Sequence, residues 1–392
     1  MPVSGSPGGT PRRGLSVLAV GDLILDEPDP DSYFDPTRAL LQRGDVVIGQ
    51  VETPYTRTAM QSVLGVPAPA VAPEQLDALA RAGFTVATLA GNHIFDQGHA
   101  GVADTLARLR ANGLVTTGAG MTLEEARRPA RVTAPGGTVA VLSYNTVGPR
   151  ESWAGPAKPG CAYLHVLTHY ELDHASPGGR PQAYTFTAPD SLETLAADVD
   201  EARRDSALLV VALHKGVNAS TTPQWYEKQV AHAAIDAGAD VVIGHHPHIM
   251  AGVEIYRGRP IYHGLGNFVT VTHALSTNPA ENTDPERLAH ARRRRELFGF
   301  EPDPAMPTYP FHPDSRHTAI ARFGLDEEGR LCAGYLPCYI DQEGRPVPAP
   351  RSGLGTQVFD YVARISADAG FRTEFFWVDE DVVGISLAEQ HP

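Results

Sequence analysis

Five short apolar runs, each delivering a polar residue able to bind a metal ion, constrain this chain more than any other feature of its sequence. Leu15 to Val20 runs into Gly21-Asp22, Val46 to Val51 into Glu52, and Phe84 to Ala90 into Gly91-Asn92-His93. Leu208 to Leu213 runs into His214, and Val241 to Ile243 into Gly244-His245-His246. Such runs read as buried strands that end in polar loops. Segments with helical apolar spacing accompany them, at Pro73 to Ala82, Gly101 to Ala111, Ser191 to Ala202 and Trp225 to Ala237. Strands alternating with helices predict one layered α/β sheet, in which ligands collect where strands end in loops. One pocket can therefore gather all five polar termini.

The strand-end residues mix hard oxygens with imidazoles: Asp22, Glu52, Asn92 with His93, His214, and His246 with His248. That donor set suits a divalent cation such as Mn, Zn, Fe, Mg or Ca. Thiolates play no part, since Cys161, Cys332 and Cys338 lack any CxxC spacing, and their odd count argues against a disulfide framework.

A length of 392 residues leaves ample room for a buried core. The expected organisation is a disordered head over residues 1–13 and a single domain over 14–392, with a helix near Thr356 to Ala367 in its tail. Two irregular stretches, near 149–188 and 270–314, read as excursions that cover a substrate. The second contains Arg292-Arg293-Arg294-Arg295, a solvated helix face or a contact for a carboxylate. A formal net charge of −14 disfavours nucleic acid and anionic membranes as partners. No apolar run approaches the roughly 20 residues that span a bilayer, and the N-terminus has no apolar signal core, so a cytoplasmic location is expected.

The residues of the pocket also carry a resemblance. Gly21-Asp22, Val51-Glu52-Thr53-Pro54, Gly91-Asn92-His93-Ile94-Phe95-Asp96-Gln97-Gly98, Gly244-His245-His246-Pro247-His248 and Gly264-Leu265-Gly266-Asn267-Phe268 resemble the CapA family. These are proteins related to poly-γ-glutamate capsule synthesis, within the calcineurin-like metallophosphoesterase superfamily, and the resemblance covers about residues 15 to 350. It implies a layered calcineurin-like fold with a metal site at the C-terminal ends of sheet strands. It further implies that Asp22, Glu52 and His248 form one half of the centre and Asn92, His214 and His246 the other, with Glu52 bridging. His93 would be the acid/base group, with Asp96 and Asp26 as candidates to orient its ring.

Departures from that pattern bear on the chemistry. Ile24 stands where the superfamily's Asp-x-His places a histidine, and Glu52 where an aspartate usually bridges. His214-Lys215-Gly216 stands where His-Trp-Gly is common, and Tyr262-His263-Gly264-Leu265-Gly266-Asn267-Phe268 where Tyr-Ser-Leu-Gly-Asn-Phe is common, so Lys215 and His263 are extra ionisable groups near the pocket. Two-metal phosphoester hydrolysis needs both cations close together, which Ile24 weakens. The alternative is proton transfer at a carbon next to a carbonyl, with one base and one acid on opposite faces. Candidates for the second group are His263, or His312 with Asp314 or His317. The resemblance therefore implies a metal-dependent epimerase acting on a ribosomally made precursor peptide, such as a lasso peptide. A metal-dependent phosphoesterase and a CapA-type capsule synthesis component are the alternatives.

Overall fold

The computed structural model describes residues 14–58, 60, 62, 68, 70–172, 178–273 and 285–388. The expected disordered head lies outside them, as do residues 173–177 and 274–284 of the two excursions.

Strands β1 (Leu15–Leu25), β2 (Val46–Val51), β3 (Val86–Thr88) and β4 (Val115–Thr117) run parallel as one half of a first sheet. A second sheet of six strands follows: β5 (Ala130–Ala134), β6 (Gly137–Asn145), β7 (Leu208–His214), β8 (Val241–His245), β9 (Met250–Tyr256) and β10 (Arg259–Leu265). Its order is β9-β10-β8-β7-β6-β5. The chain then returns to the first sheet with β11 (Asn267–Val271), β12 (His317–Leu325), β13 (Leu331–Ile340), β14 (Phe375–Trp377) and β15 (Val383–Ile385). The first sheet reads β14-β15-β13-β12-β1-β2-β3-β4, and β11 also pairs with β1.

The unbroken apolar runs have a direct explanation, because both faces of these strands are covered. In β1, Val17 and Ala19 face the core between the two sheets, whereas Leu18 and Val20 face the outer core. In β7, Leu208, Val210 and Ala212 point between the sheets, while Leu209, Val211 and Leu213 point outward. Helices α1 (Asp77–Ala82) and α2 (Gly98–Ala111) supply Leu79, Val102 and Leu106 to the outer core of the first sheet. Helices α3 (Pro189–Arg203) and α4 (Trp225–Asp236) supply Leu195, Val199, Val230 and Ala234 to that of the second. The architecture is thus helices, sheet, sheet, helices: the layered calcineurin-like fold. A further helix, α5 (Pro285–Phe298), carries the arginine run with Arg292 and Arg293 exposed; the side chains of Arg294 and Arg295 lie outside the described part. Helix α6 (Thr356–Asp368) adds Val358, Val362 and Ile365 to the core between the sheets.

Three sequence expectations need correction. The five strands belong to two sheets and not one, because parallel strands covered on both faces look alike whichever sheet they join. Strand β1 continues past Val20 to Leu25, since β11 pairs with its second half (Asp22 to Leu25) where β12 pairs with its first. Asp22 therefore lies inside a strand, at a register shift before Leu23, and not in a terminal loop. Finally, the excursion at 149–188 holds an antiparallel hairpin, Val166–Glu171 against Gln182–Thr187. Its Gly- and Pro-rich flanks hide the β-branched and aromatic residues that form it.

Close approach of neighbouring segments within the sheets depends on glycine. A Cβ on Gly244 would stand 2.0 Å from the His263 carbonyl oxygen, and one on Gly21 would stand 2.1 Å from that of Gly266. Gly113 differs, with φ +81° but open space around it. Gly244→Ala is expected to destabilise the chain by more than about 3 kcal/mol, and Gly113→Ala by only about 1 kcal/mol for its left-handed backbone. Thermal or denaturant unfolding of both variants checks this; equal losses would contradict the packing described.

Candidate metal centre

The sheets meet where β1 and β2 approach the ends of β7 and β8. The His245 ring donates from Nε2 to the Val20 carbonyl oxygen at 3.1 Å, and the His246 N–H donates to Asp22 Oδ2 at 3.2 Å. These bonds cross from one sheet to the other.

Asp22 and Glu52 are both buried, at 0% and 1% exposure. Asp22 Oδ1 and both carboxylate oxygens of Glu52 have no hydrogen-bond partner. Burial raises the Asp22 carboxyl to about 7 and holds that of Glu52 well above its ordinary range, where the negative charges of Asp22 and Asp96 push it further. Two such groups in one protein interior are costly unless a cation compensates them.

Imidazoles complete the cluster. His214, on the last position of β7, places Nε2 at 2.8 Å from Asn92 Oδ1 and 3.2 Å from His246 Nδ1, and its Nδ1 at 3.7 Å from Glu52 Oε2. Ligand atoms of Glu52, His214 and His246 all lie within 4.8 Å of one another. His248 stands alongside, its Nδ1 3.4 Å from Asp22 Oδ2 and donating to Asn267 Oδ1 at 2.9 Å. Burial holds the His214 ring well below its ordinary pKa and lowers that of His246 to about 4, so both are neutral at physiological pH, the form that binds metals. His246 (φ +96°) and His248 (φ +59°) adopt left-handed backbone, a strain of about 1–3 kcal/mol each that is characteristic of functional loops. Gly91 meets the same crowding, for a Cβ there would lie 3.3 Å from Gln50 Nε2 and 3.7 Å from the His214 ring.

His93 sits at the rim. Its Nδ1 donates to the buried Asp96 carboxylate at 2.6 Å, which leaves Nε2 as the nitrogen free to exchange a proton. Asp96 also accepts the Ala68 N–H at 2.6 Å, so it both fastens the loop and orients the ring. Part of the first excursion leans on this loop: the Lys158 ammonium lies 3.9 Å from the Phe95 ring centre. Thr146, at the root of that excursion, donates its N–H to the His214 carbonyl at 2.9 Å.

Other candidates are placed elsewhere. Asp26 accepts from the Thr272 hydroxyl at 3.2 Å and the His273 N–H at 3.4 Å, so Asp96 and not Asp26 carries the bond to His93. His263 is fully buried between Lys215, Glu254 and Phe371 and makes no contact with the cluster. His312 caps a short turn, accepting the Asp314 N–H at 3.1 Å, and its ring packs on Phe300. His317 stacks on Tyr361 and bonds to the Asp314 carbonyl. Ile24 joins Met306, Tyr309, Phe311 and Ile340 in an apolar cluster, and Phe311 lies 5.0 Å from the His248 ring. Apolar packing therefore fills the place of the missing histidine. Sequence reasoning overlooked Asn267 as a site residue; its place in Gly266-Asn267-Phe268, beside β1 in register with Asp22, was the available signal.

The unpartnered oxygens of Asp22 and Glu52, together with neutral imidazoles and the Asn92 amide, fit a divalent cation. Elemental analysis is expected to find one tightly held divalent ion per chain, because Ile24 cannot ligate; two would contradict this. The titrating groups set the pH dependence. Asp22 and Glu52 must lose protons that burial has made them keep, whereas His214 and His246 are already neutral. Ion affinity should therefore fall as pH drops from 8 to 6, by roughly tenfold per unit for each proton displaced. Calorimetric titration with Mn²⁺ across that range checks the sign, and affinity independent of pH would contradict it.

Comparison with known proteins places this geometry. Residues 16–272 match the family model for the bacterial capsule synthesis protein PGA_cap. The PGA biosynthesis protein CapA of Bacillus subtilis is 29% identical over 266 residues, covering 65% of this chain and 63% of that protein. The capsule biosynthesis protein CapA of Bacillus anthracis is 26% identical over 272 residues, covering 65% and 59%. A probable polyglutamine synthesis accessory protein of Mycobacterium tuberculosis is 33% identical over 201 residues, covering 50% and 48%. The chain thus spans less than two thirds of the length of each of these three. Since the family match takes in more than half of the chain and every residue of the centre, this protein belongs to the PGA_cap family of bacterial capsule synthesis proteins.

Proposed function

We propose that this chain is a metal-dependent component of CapA-type poly-γ-glutamate synthesis, with its centre working on a glutamyl chain. The observation that carries this reading is that the family match contains the whole cluster, from Asp22 through His248 to Asn267. A bound divalent cation would polarise a carbonyl or carboxylate oxygen of the substrate. It would also be the local attractor for an anionic polymer on a chain whose net charge is −14. His93, 27% exposed in its side chain and held by Asp96, would accept or return a proton at the substrate. Among the described residues no helix is long and apolar enough to cross a membrane. A cytoplasmic setting and the absence of nucleic-acid and membrane partners remain part of this proposal.

Inversion of a Cα centre in a precursor peptide is a second reading, favoured by the same His93–Asp96 unit beside a cation site. Two-sided proton transfer needs a second group opposite the first, and His263, walled in behind the site, is not available for it. Hydrolysis of a phosphoester is the weaker alternative, because the apolar packing around Ile24 opposes a second cation.

Three incubations of the Mn²⁺-loaded chain separate these readings: γ-linked glutamyl oligomers, candidate peptides in deuterium oxide, and a generic phosphodiester. Binding or turnover of the glutamyl oligomers supports the main reading. A one-mass-unit gain in a peptide without cleavage would instead establish epimerisation, and rapid phosphodiester cleavage would establish hydrolysis. Whichever substrate is turned over, His93→Ala should lower turnover by roughly 10²- to 10⁴-fold while leaving metal content unchanged. Loss of the metal in that variant would make His93 a ligand instead.

A further inference from the structure

Lys215 follows His214 directly and is fully buried. An ammonium in a protein interior is tolerated only if its three N–H groups all find acceptors. Here they do: Glu227 Oε2 at 2.9 Å, the His263 carbonyl oxygen at 3.1 Å and His263 Nδ1 at 3.3 Å. Because Nδ1 accepts, the proton of the His263 ring sits on Nε2, which donates to Glu254 Oε2 at 2.9 Å. His232 donates to the other oxygen of Glu254 at 2.9 Å, and Phe371 stacks on the His263 ring with centres 5.0 Å apart. Lys215 and His263, two separate ionisable groups in the sequence, are each other's partners.

The same contacts join three pieces of the fold. Glu227 also accepts the Gln224 N–H at 2.8 Å through Oε1, so one carboxylate holds both the start of α4 and Lys215. The Lys215 N–H donates to the His245 carbonyl at 3.1 Å across to β8. Gly216 (φ +107°) gives its N–H to the Tyr226 hydroxyl at 2.9 Å, and a Cβ there would approach Glu227 Oε2 to 2.9 Å. His263 lies on β10, four residues before Asn267, whose side chain receives the His248 ring.

We propose that Lys215 is a positioning residue of the metal centre. Its ammonium locks the end of β7, which presents His214, to the end of β10, which leads into Asn267 and so to His248. The ammonium itself bonds to Glu227 and His263 and not to a ligand atom. It fixes the separation of two ligand-bearing segments by sharing acceptors between them, as buried, fully satisfied polar networks do. This inference rests on the reading of the cluster as a metal site.

The test removes both charges together, so that no unpaired ion is left in the interior. Lys215→Met/Glu227→Gln, which keeps an oxygen for the Gln224 N–H, is compared with the unsubstituted chain by Mn²⁺ calorimetry and by amide hydrogen exchange of the metal-free protein. Expected are a tenfold or greater loss of Mn²⁺ affinity and faster exchange at 214–217 and also at 264–268. Unchanged affinity, or a change of protection confined to 215–228, would overturn the proposal and leave Lys215 as part of a helix cap. If the double variant does not fold, His263→Leu takes its place; it keeps the Lys215–Glu227 pair and should still weaken Mn²⁺ binding by threefold or more, with no loss counting against the proposal. An unsubstituted chain that binds neither Mn²⁺ nor Zn²⁺ would refute the metal reading, while the exchange at 264–268 would still decide whether Lys215 couples the two strand ends.

Discussion

Two carboxylates with no hydrogen-bond partner for most of their oxygens stand in the interior of this protein, and much of the surrounding structure makes sense as a consequence. Asp22 lies on β1 and Glu52 directly follows the neighbouring parallel strand β2, whose register sets Gln50 beside Asp22 and Glu52 just past Leu23. Burial alone would hold them protonated, and a neutral pair would leave the nearby imidazoles without a purpose. A bound cation would resolve both problems, because it would replace the missing solvation, with the neutral rings of His214 and His246 to hold it. Hence the second sheet must deliver its strand ends within a few ångströms of the first.

That delivery is demanding, and the chain meets it with backbone that other residues would not permit. Gly21 and Gly244 lack the Cβ that would collide with a carbonyl of the adjoining segment. His246 and His248 take up left-handed conformations, which only a tightly packed surround can enforce. The His245 ring reaches across to the Val20 carbonyl and fastens the sheets at the same level. Strand ends and the tight turns that follow them therefore carry the cluster, and His93, whose role requires access, sits at its edge.

Much of this was legible in the sequence, for a specific reason. Strands covered on both faces leave long apolar runs, and a polar residue at their end is conspicuous against them; Glu52 and His214 needed no more than that. Helices announced themselves by spacing, and the ends of α4 and α6 differ from expectation by a single residue. What was hidden is what depends on pairing between distant segments. Nothing in Leu15 to Val20 says that β11 will extend the strand through Asp22, or that the five strands divide between two sheets. His263 looked available because an isolated histidine carries no sign of the lysine and glutamate that enclose it. Asp26 and Asp96 were both candidates in the sequence, and the fold gives Asp96 to His93.

The placement of β1 has an outcome for the chain during its synthesis. This strand is made before every other strand of the two sheets, yet two of its three neighbours, β11 and β12, span residues 267–271 and 317–325. At a translation rate of about 5 to 20 residues per second, roughly 15 to 60 seconds pass before the last of them emerges. Throughout that interval β1 and β2 can pair with each other, but one edge of an apolar parallel ribbon stays open, the kind of edge that recruits strands from other chains. The cluster cannot form before residue 248 has been made either, since His214, His246 and His248 come from the second sheet and the turn that follows β8. The nascent chain would thus depend on protection of β1 and β2 until β12 has been made.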